Sequence, residues 1–206
     1  MQASDQAMDA ETEAIAKEIW EEMARVCAKG VLRLNELGLH KQWANRPLEW
    51  FGTITTVMTA TSYENFFELR DHKDAQPEIN HLAVLMKKAM AESEPAIVGI
   101  GDWHLPYILD EERNAINSLD TLLKMSTARC ARVSYLTQEG TVPSIEKDLA
   151  LFERLVGSKP LHASPCEHQA TPKSWLEGDN DGLNANFDGW KQHRKILEAN
   201  DNLSNI

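Results

Sequence analysis

The side chains most able to do chemistry cluster near residue 165. His162, Glu167 and His168 are potential metal ligands, and Cys166 stands among them as a potential nucleophile. Their spacing matches no common zinc site, and Glu167 and His168 are sequence neighbours, which rarely ligate one ion together. No metal is expected on that basis. The three cysteines, Cys27, Cys130 and Cys166, have no metal-type spacing and are odd in number, which fits a reduced, cytoplasmic setting. A free cysteine is most often a small buried hydrophobe, and Cys166 is read that way. The stretch GIGDW at 99–103 is not G-x-G-x-x-G, and the chain has no P-loop, no G-x-S-x-G and no H-E-x-x-H.

The elements that must position these residues follow from periodicity. Apolar residues Ile15, Ile19, Met23, Val26 and Leu34 recur at helical spacing, predicting a helix over 10–37 that Gly30 could interrupt. Pro47 marks a helix end at Arg46. Residues 52–60 are rich in Thr, Val and Ile and read as a strand. Thr61 and Glu64 have the spacing of a capping box for a helix through Arg70, with Tyr63, Phe66 and Phe67 toward the core. Asp74 is the expected cap of a following helix with an apolar stripe of Ile79, Leu82, Leu85, Met86 and Met90. Residues 91–117 read as irregular. Further helices are expected over 119–131 and after Ser144, the latter with Ile145, Leu149, Phe152 and Val156 on one face. From Gly157 onward, turn residues accumulate around FDGWKQHR at 187–194, and the tail is polar. The expected architecture is one α/β (α+β) domain over residues 1–206, a mixed sheet flanked by several helices, with 1–10 and 198–206 frayed.

Bulk properties narrow the function. With 42% hydrophobic and 26% charged residues, the 206-residue chain is suited to a globular core rather than disorder. A net charge of −11 argues against a general nucleic-acid binder. No run approaches the length of a membrane span, and the acidic N-terminus lacks the features of a signal peptide.

Three segments then point to a family. HKQWANRPLEW, TATSYENFFELRDHKDAQPEI, and ARVSY with LHASPCEH together resemble flavin-dependent thymidylate synthases. In that family the ARVS and H-x-S/T-P-x-E-H segments come early and the arginine-bearing segments late. Here Arg46 and Arg70 precede Arg132 and Glu167, as in permuted phage-type members. The signature R-H-R-x-x-S-x-N-E-x-S-x-R-Y is not found. The lookalike Gln192-His193-Arg194 is followed by KILEAN, without Ser or Asn in register. The expectation is a truncated or split member.

The resemblance implies conversion of dUMP to dTMP, with methylenetetrahydrofolate as carbon donor, FAD as hydride carrier and NADPH as its reductant. It implies a homotetramer, and a split member would pair with a separately encoded N-terminal piece. By resemblance Arg70 matches the arginine that contacts the uracil and favours its ionised form, as a fixed guanidinium can. Arg46 matches a second nucleotide-contacting arginine. Asn65 and Ser164 match flavin contacts, and Thr59 and Thr61 stand where many members have Asn and Arg contacts to flavin. Asn65 and Arg70, five residues apart, point about 140° away from each other on a helix, which suits one reaching flavin and the other nucleotide. Each has a plainer alternative: Arg70 a solvated helix end, Arg46 an exposed residue before a break, Thr61 a cap, Ser164 part of a turn.

Overall fold

The computed structural model describes residues 8–133, 144–157, 163–174, 176 and 181–204. The chain divides into two units, Met1–Ile54 and Thr55–Ile206. The first unit is built on α1 (Ala10–Glu36), followed by α2 (Lys41–Ala44) and a 3-10 turn (Arg46–Phe51). Asp9 caps α1, its Oδ1 accepting from the Thr12 amide at 2.9 Å. Acidic residues in the first turn and Arg33 in the last oppose the helix dipole. Gly30 does not interrupt the helix. The edge of Trp20 meets Phe51 at 5.2 Å, holding the turn against α1. Pro47 sits at the start of that turn, where its missing N–H costs nothing.

The second unit combines helices with a small antiparallel sheet, the mixed class expected. Residues 52–60 form no strand. Their β-branched composition suits a pleated surface, but a strand exists only where another backbone pairs with it. Helix α3 (Glu64–Arg70) forms as expected, without the capping box: Tyr63 occupies the cap and supplies no side-chain bond. The Thr61 hydroxyl instead accepts from the Asp188 amide at 3.0 Å, and Glu64 pairs with the Ser62 hydroxyl. A tertiary donor has outcompeted the local one. Tyr63, Phe66 and Phe67 form a half-buried ring cluster.

Asp74 does not cap α4 (Pro77–Glu92), which opens at Pro77 after Gln76. Proline's fixed φ suits the first helical position and sets the boundary there. Asn80 Nδ2 donates to the carbonyls of Arg70 and His72 at 3.0 and 3.3 Å, tying α4 back to α3. The apolar stripe of α4 is covered only in part. Ala83 is buried and Ile79 and Met86 half-buried, whereas Leu82, Leu85 and Met90 are exposed.

The stretch expected to be irregular contains α5 (Asp110–Ala115). Helices α6 (Leu119–Arg132) and α7 (Ile145–Val156) start at Ser118 and Ser144. Of the face expected on α7, Phe152 is buried, Leu149 and Val156 half-buried and Ile145 exposed. A 3-10 turn (Ser164–Glu167) leads into β1 (Ala170–Pro172), which pairs antiparallel with β2 (Trp190–Gln192) in the register Ala170↔Gln192. Helix α8 (His193–Ser204) follows β2 directly. Met125, Ala128 and Cys130 of α6, Phe152, Leu105, Cys166, Ala170 and Phe187 make the core.

A charge network crosses this core. Arg129 grips Glu112 of α5 with two bonds of 2.6 Å, donates to Asp148 of α7 at 2.9 Å, and donates to the Tyr107 carbonyl at 2.7 Å. Arg132 reaches the other oxygen of Asp148. Tyr107 has φ of 63°, a conformation unfavourable for a bulky residue, and its carbonyl is held there by Arg129. The arginine of the ARVS segment thus serves, in this structure, to tie α6 to α7.

Candidate functional site

The second unit contains a cleft of about 520 Å³, a size that suits a small-molecule ring system. Four segments build it. One wall is the run Thr59, Ala60, Thr61 and Ser62 that leads into α3; Ala96, Val98 and His104 form another; Ala170 of β1 and Phe187, Asp188 and Trp190 complete the lining. His104 is fixed by a two-way backbone bridge to Ala170, its amide donating at 2.8 Å and its carbonyl accepting at 3.3 Å. Thr171 Oγ1 donates to the Asp102 carbonyl at 2.7 Å, fastening the same loop to β1. Gly189, at φ of 73°, allows the tight turn between Asp188 and Trp190.

The wall carrying Thr59 is held from two sides. Thr61 accepts from the Asp188 amide, as described above. Thr59 Oγ1 lies 3.1 Å from His168 Nδ1, a contact that joins positions 109 residues apart. His168 is the last residue of the P-x-E-H segment and caps the 3-10 turn Ser164–Glu167. Burial, and the neighbouring His104, hold its imidazole below the usual histidine range, while Glu167 works the other way. Burial and the Arg113 guanidinium likewise depress His104. Glu167 pairs with Arg194 of α8, whose Nε also donates to Glu198 at 2.6 Å. The residues of the Gln192-His193-Arg194 run therefore pack against the P-x-E-H segment: Gln192 Nε2 donates to the Glu167 carbonyl at 3.2 Å.

Thr59 and Thr61 thus line the cleft. Arg70, Asn65 and Ser164 are exposed and are not among its described lining residues. Arg46 lies in the first unit, 65% exposed and paired with Glu49 at 2.8 Å. Cys166 is fully buried, and burial pushes its thiol up to about 11, which suits a packing residue and not a nucleophile. His162 lies outside the described residues. Among those described, no group of three or more His, Cys, Asp or Glu is gathered to hold a metal. Among the described residues no helix is long and apolar enough to cross a membrane. The sequence reading missed His104, Phe187, Asp188 and Trp190. The signal for the last three lay in FDGWKQHR, an apolar and aromatic run within a polar tail.

The cleft can be tested against a flavin. Its described lining includes Phe187 and Trp190, four hydroxyl or imidazole groups and one carboxylate, with no lysine or arginine. That set fits an uncharged planar ring with polar edges. It offers no cation to a pyrophosphate.

Residues 2–96 match the family model described as thymidylate synthase complementing protein. Over that stretch, a little under half of the chain, it is similar to this family, the flavin-dependent thymidylate synthases. The match covers Arg46, Thr59, Thr61, Asn65 and Arg70 and ends before Ser164. No curated protein and no solved structure matches the chain.

Proposed function

We propose that the chain takes part in the reductive methylation of dUMP to dTMP, with methylenetetrahydrofolate as carbon donor and FAD, reduced by NADPH, as hydride carrier. The observation that supports this reading best is the contact between Thr59 and His168. Thr59 belongs to the segment matched by the family, and His168 to a separate segment resembling it. Two motifs remote in sequence meet at one cleft, as parts of one site should.

In this reading Thr59 and Thr61 hold the edge of the flavin ring, and Phe187 and Trp190 supply apolar faces. Bound flavin supplies the hydride that reduces the transferred carbon. Arg70 places its guanidinium against the uracil and stabilises negative charge developing on it. Arg46 binds the nucleotide, and Asn65 and Ser164 reach flavin. An oligomer would supply cations that the described lining of one cleft lacks, which is why a homo-oligomer, or a separately encoded second piece, belongs to the proposal.

The test is an absorbance spectrum of the purified chain with FAD and then dUMP. A perturbed flavin band that responds to dUMP supports the reading, and tritium release from [5-³H]dUMP with the full set of co-substrates then measures turnover. If neither ligand binds, alone or with an added N-terminal piece, the reading fails.

A further inference from the structure

Atom balance demands a proton acceptor that no sequence-derived site residue supplies. Turning dUMP into dTMP replaces a ring C–H by C–CH3. The folate's methylene carbon ends bonded to the ring with both of its bonds to folate nitrogen broken, and a bound reduced flavin would supply the hydride that completes the methyl group. The ring hydrogen leaves as a proton while its bonding pair stays on the ring. That proton and the flavin's remaining proton balance the two N–H bonds of the released tetrahydrofolate. Arg46 and Arg70 cannot accept a proton, and Asn65, Ser164, Thr59 and Thr61 are not bases at neutral pH.

We propose that Thr59 and His168 form the relay that takes this proton: Thr59 Oγ1, on the cleft wall, receives it from the ring while passing its own proton to His168 Nδ1, 3.1 Å behind. The inference rests on the function proposed above. Thr59, at the edge of the flavin ring in that reading, also touches the substrate, and His168 acts through it. The step leaves a neutral threonine and an imidazolium, so the environment of each imidazole decides which histidine is the acceptor.

His104 lines the cleft directly and is the rival. The charged group acting on it is Arg113, which disfavours an imidazolium. The groups facing His168 are Glu167 from its own turn, His104 from the loop, and Thr59 from the opposite wall. Glu167 favours an imidazolium, and Arg194 of α8 holds that carboxylate in place. Of the two, His168 therefore has the neighbour that stabilises the product of proton transfer. At neutral pH its depressed affinity keeps it unprotonated and ready to accept.

The relay requires a particular tautomer. Thr59 can donate to Nδ1 only if that nitrogen carries no proton, so the resting imidazole must hold its proton on Nε2. The experiment has two arms, both on the full chain. The first is ¹⁵N NMR of the imidazole nitrogens without ligand, His168 being assigned by its loss in His168→Gln. Protonated Nε2 and bare Nδ1 support the relay, and a proton on Nδ1 overturns it whether or not the chain is a thymidylate synthase. The second is the pH profile of tritium release from [5-³H]dUMP. His168→Gln keeps a group that can meet the Thr59 hydroxyl but cannot take a proton. It should lose the acidic limb of kcat/KM and about 100-fold in rate, the low end for a general base. Thr59→Ser should retain the limb and Thr59→Val should lose it. An unchanged limb in His168→Gln, or a limb lost only in His104→Gln, overturns the proposal while leaving the reaction reading intact.

Discussion

Asp148 is the residue whose removal best tests the account of how the cleft is held. Its side chain is fully buried and joins Arg129 and Arg132. Arg129 in turn holds the Tyr107 carbonyl, and Tyr107 ends the loop that carries His104 to the cleft. Replacing Asp148 by Ala removes one partner and leaves two guanidinium groups facing a cavity. Breaking a buried ion pair this way costs about 3–5 kcal/mol. Arg129 keeps its fork to Glu112, with both bonds at 2.6 Å, so the lower end, about 3 kcal/mol, is expected. With a slope of about 2 kcal/mol per molar urea, the unfolding midpoint should fall by about 1.5 M. The assay is urea unfolding followed by far-UV circular dichroism at fixed protein concentration. Asp148→Asn, which retains an acceptor and the shape, should lose less. A drop under about 0.5 M in Asp148→Ala, near 1 kcal/mol on the same slope, would refute the reasoning: the network would then be incidental to the packing of α5, α6 and α7.

Glu112 is held below the usual carboxylate range by its hydrogen bonds from Arg129. Its contribution is present above its unfolded value of 4.5 and is lost as pH falls through the lower folded value. Glu112→Gln should therefore flatten the acid dependence of the urea midpoint below about pH 4.5. His193 is buried with an unpartnered Nδ1, and burial pushes it down to about 4 from 6.5. The unfolded chain binds the extra proton between those values, so stability should fall by about 3 kcal/mol as pH drops from 7 to below 4. His193→Phe keeps the edge contact with Trp103, seen at 5.9 Å, and should remove that slope in the same titration. Thr61→Val removes the acceptor of the Asp188 amide. It should weaken FAD binding about fivefold by flavin fluorescence, one lost solvent-accessible hydrogen bond being worth about 1 kcal/mol. Arg70 is exposed, so Arg70→Met should leave the thermal midpoint within a degree or two. Its dUMP affinity, by calorimetry, should fall at least tenfold, about the value of a hydrogen bond to a charged group.

Several helices were legible because their signals are local. The spacing of Ile15, Ile19, Met23 and Val26 predicts α1, and Ser118 and Ser144 mark the starts of α6 and α7. The segments around Arg46, Arg70 and Glu167 pointed to a family from residue identity alone, and the match over residues 2–96 agrees for the first two. For secondary structure, Gly157 onward read as turns around FDGWKQHR and a polar tail, and β1, β2 and α8 were not foreseen. The sheet was misread because pairing is a property of two segments: GTITTVMTA has the composition of a strand and no paired strand among the described residues, while Ala170–Pro172 and Trp190–Gln192 have little strand character and pair with each other.

By itself the sequence determined the longer helices, a family likeness of the N-terminal part and the kinds of groups available for catalysis, because these are encoded in short spacings and residue types. Only the tertiary structure decided where those groups meet. Thr61 carries a capping signal yet serves Asp188, 127 residues away. Thr59 gains a histidine, and Arg129 and Arg132 are spent on a buried carboxylate rather than a ligand. The physical reason is the same each time. A hydrogen-bonding side chain is satisfied by whichever partner folding brings within about 3 Å, and that choice depends on the packing of the whole unit.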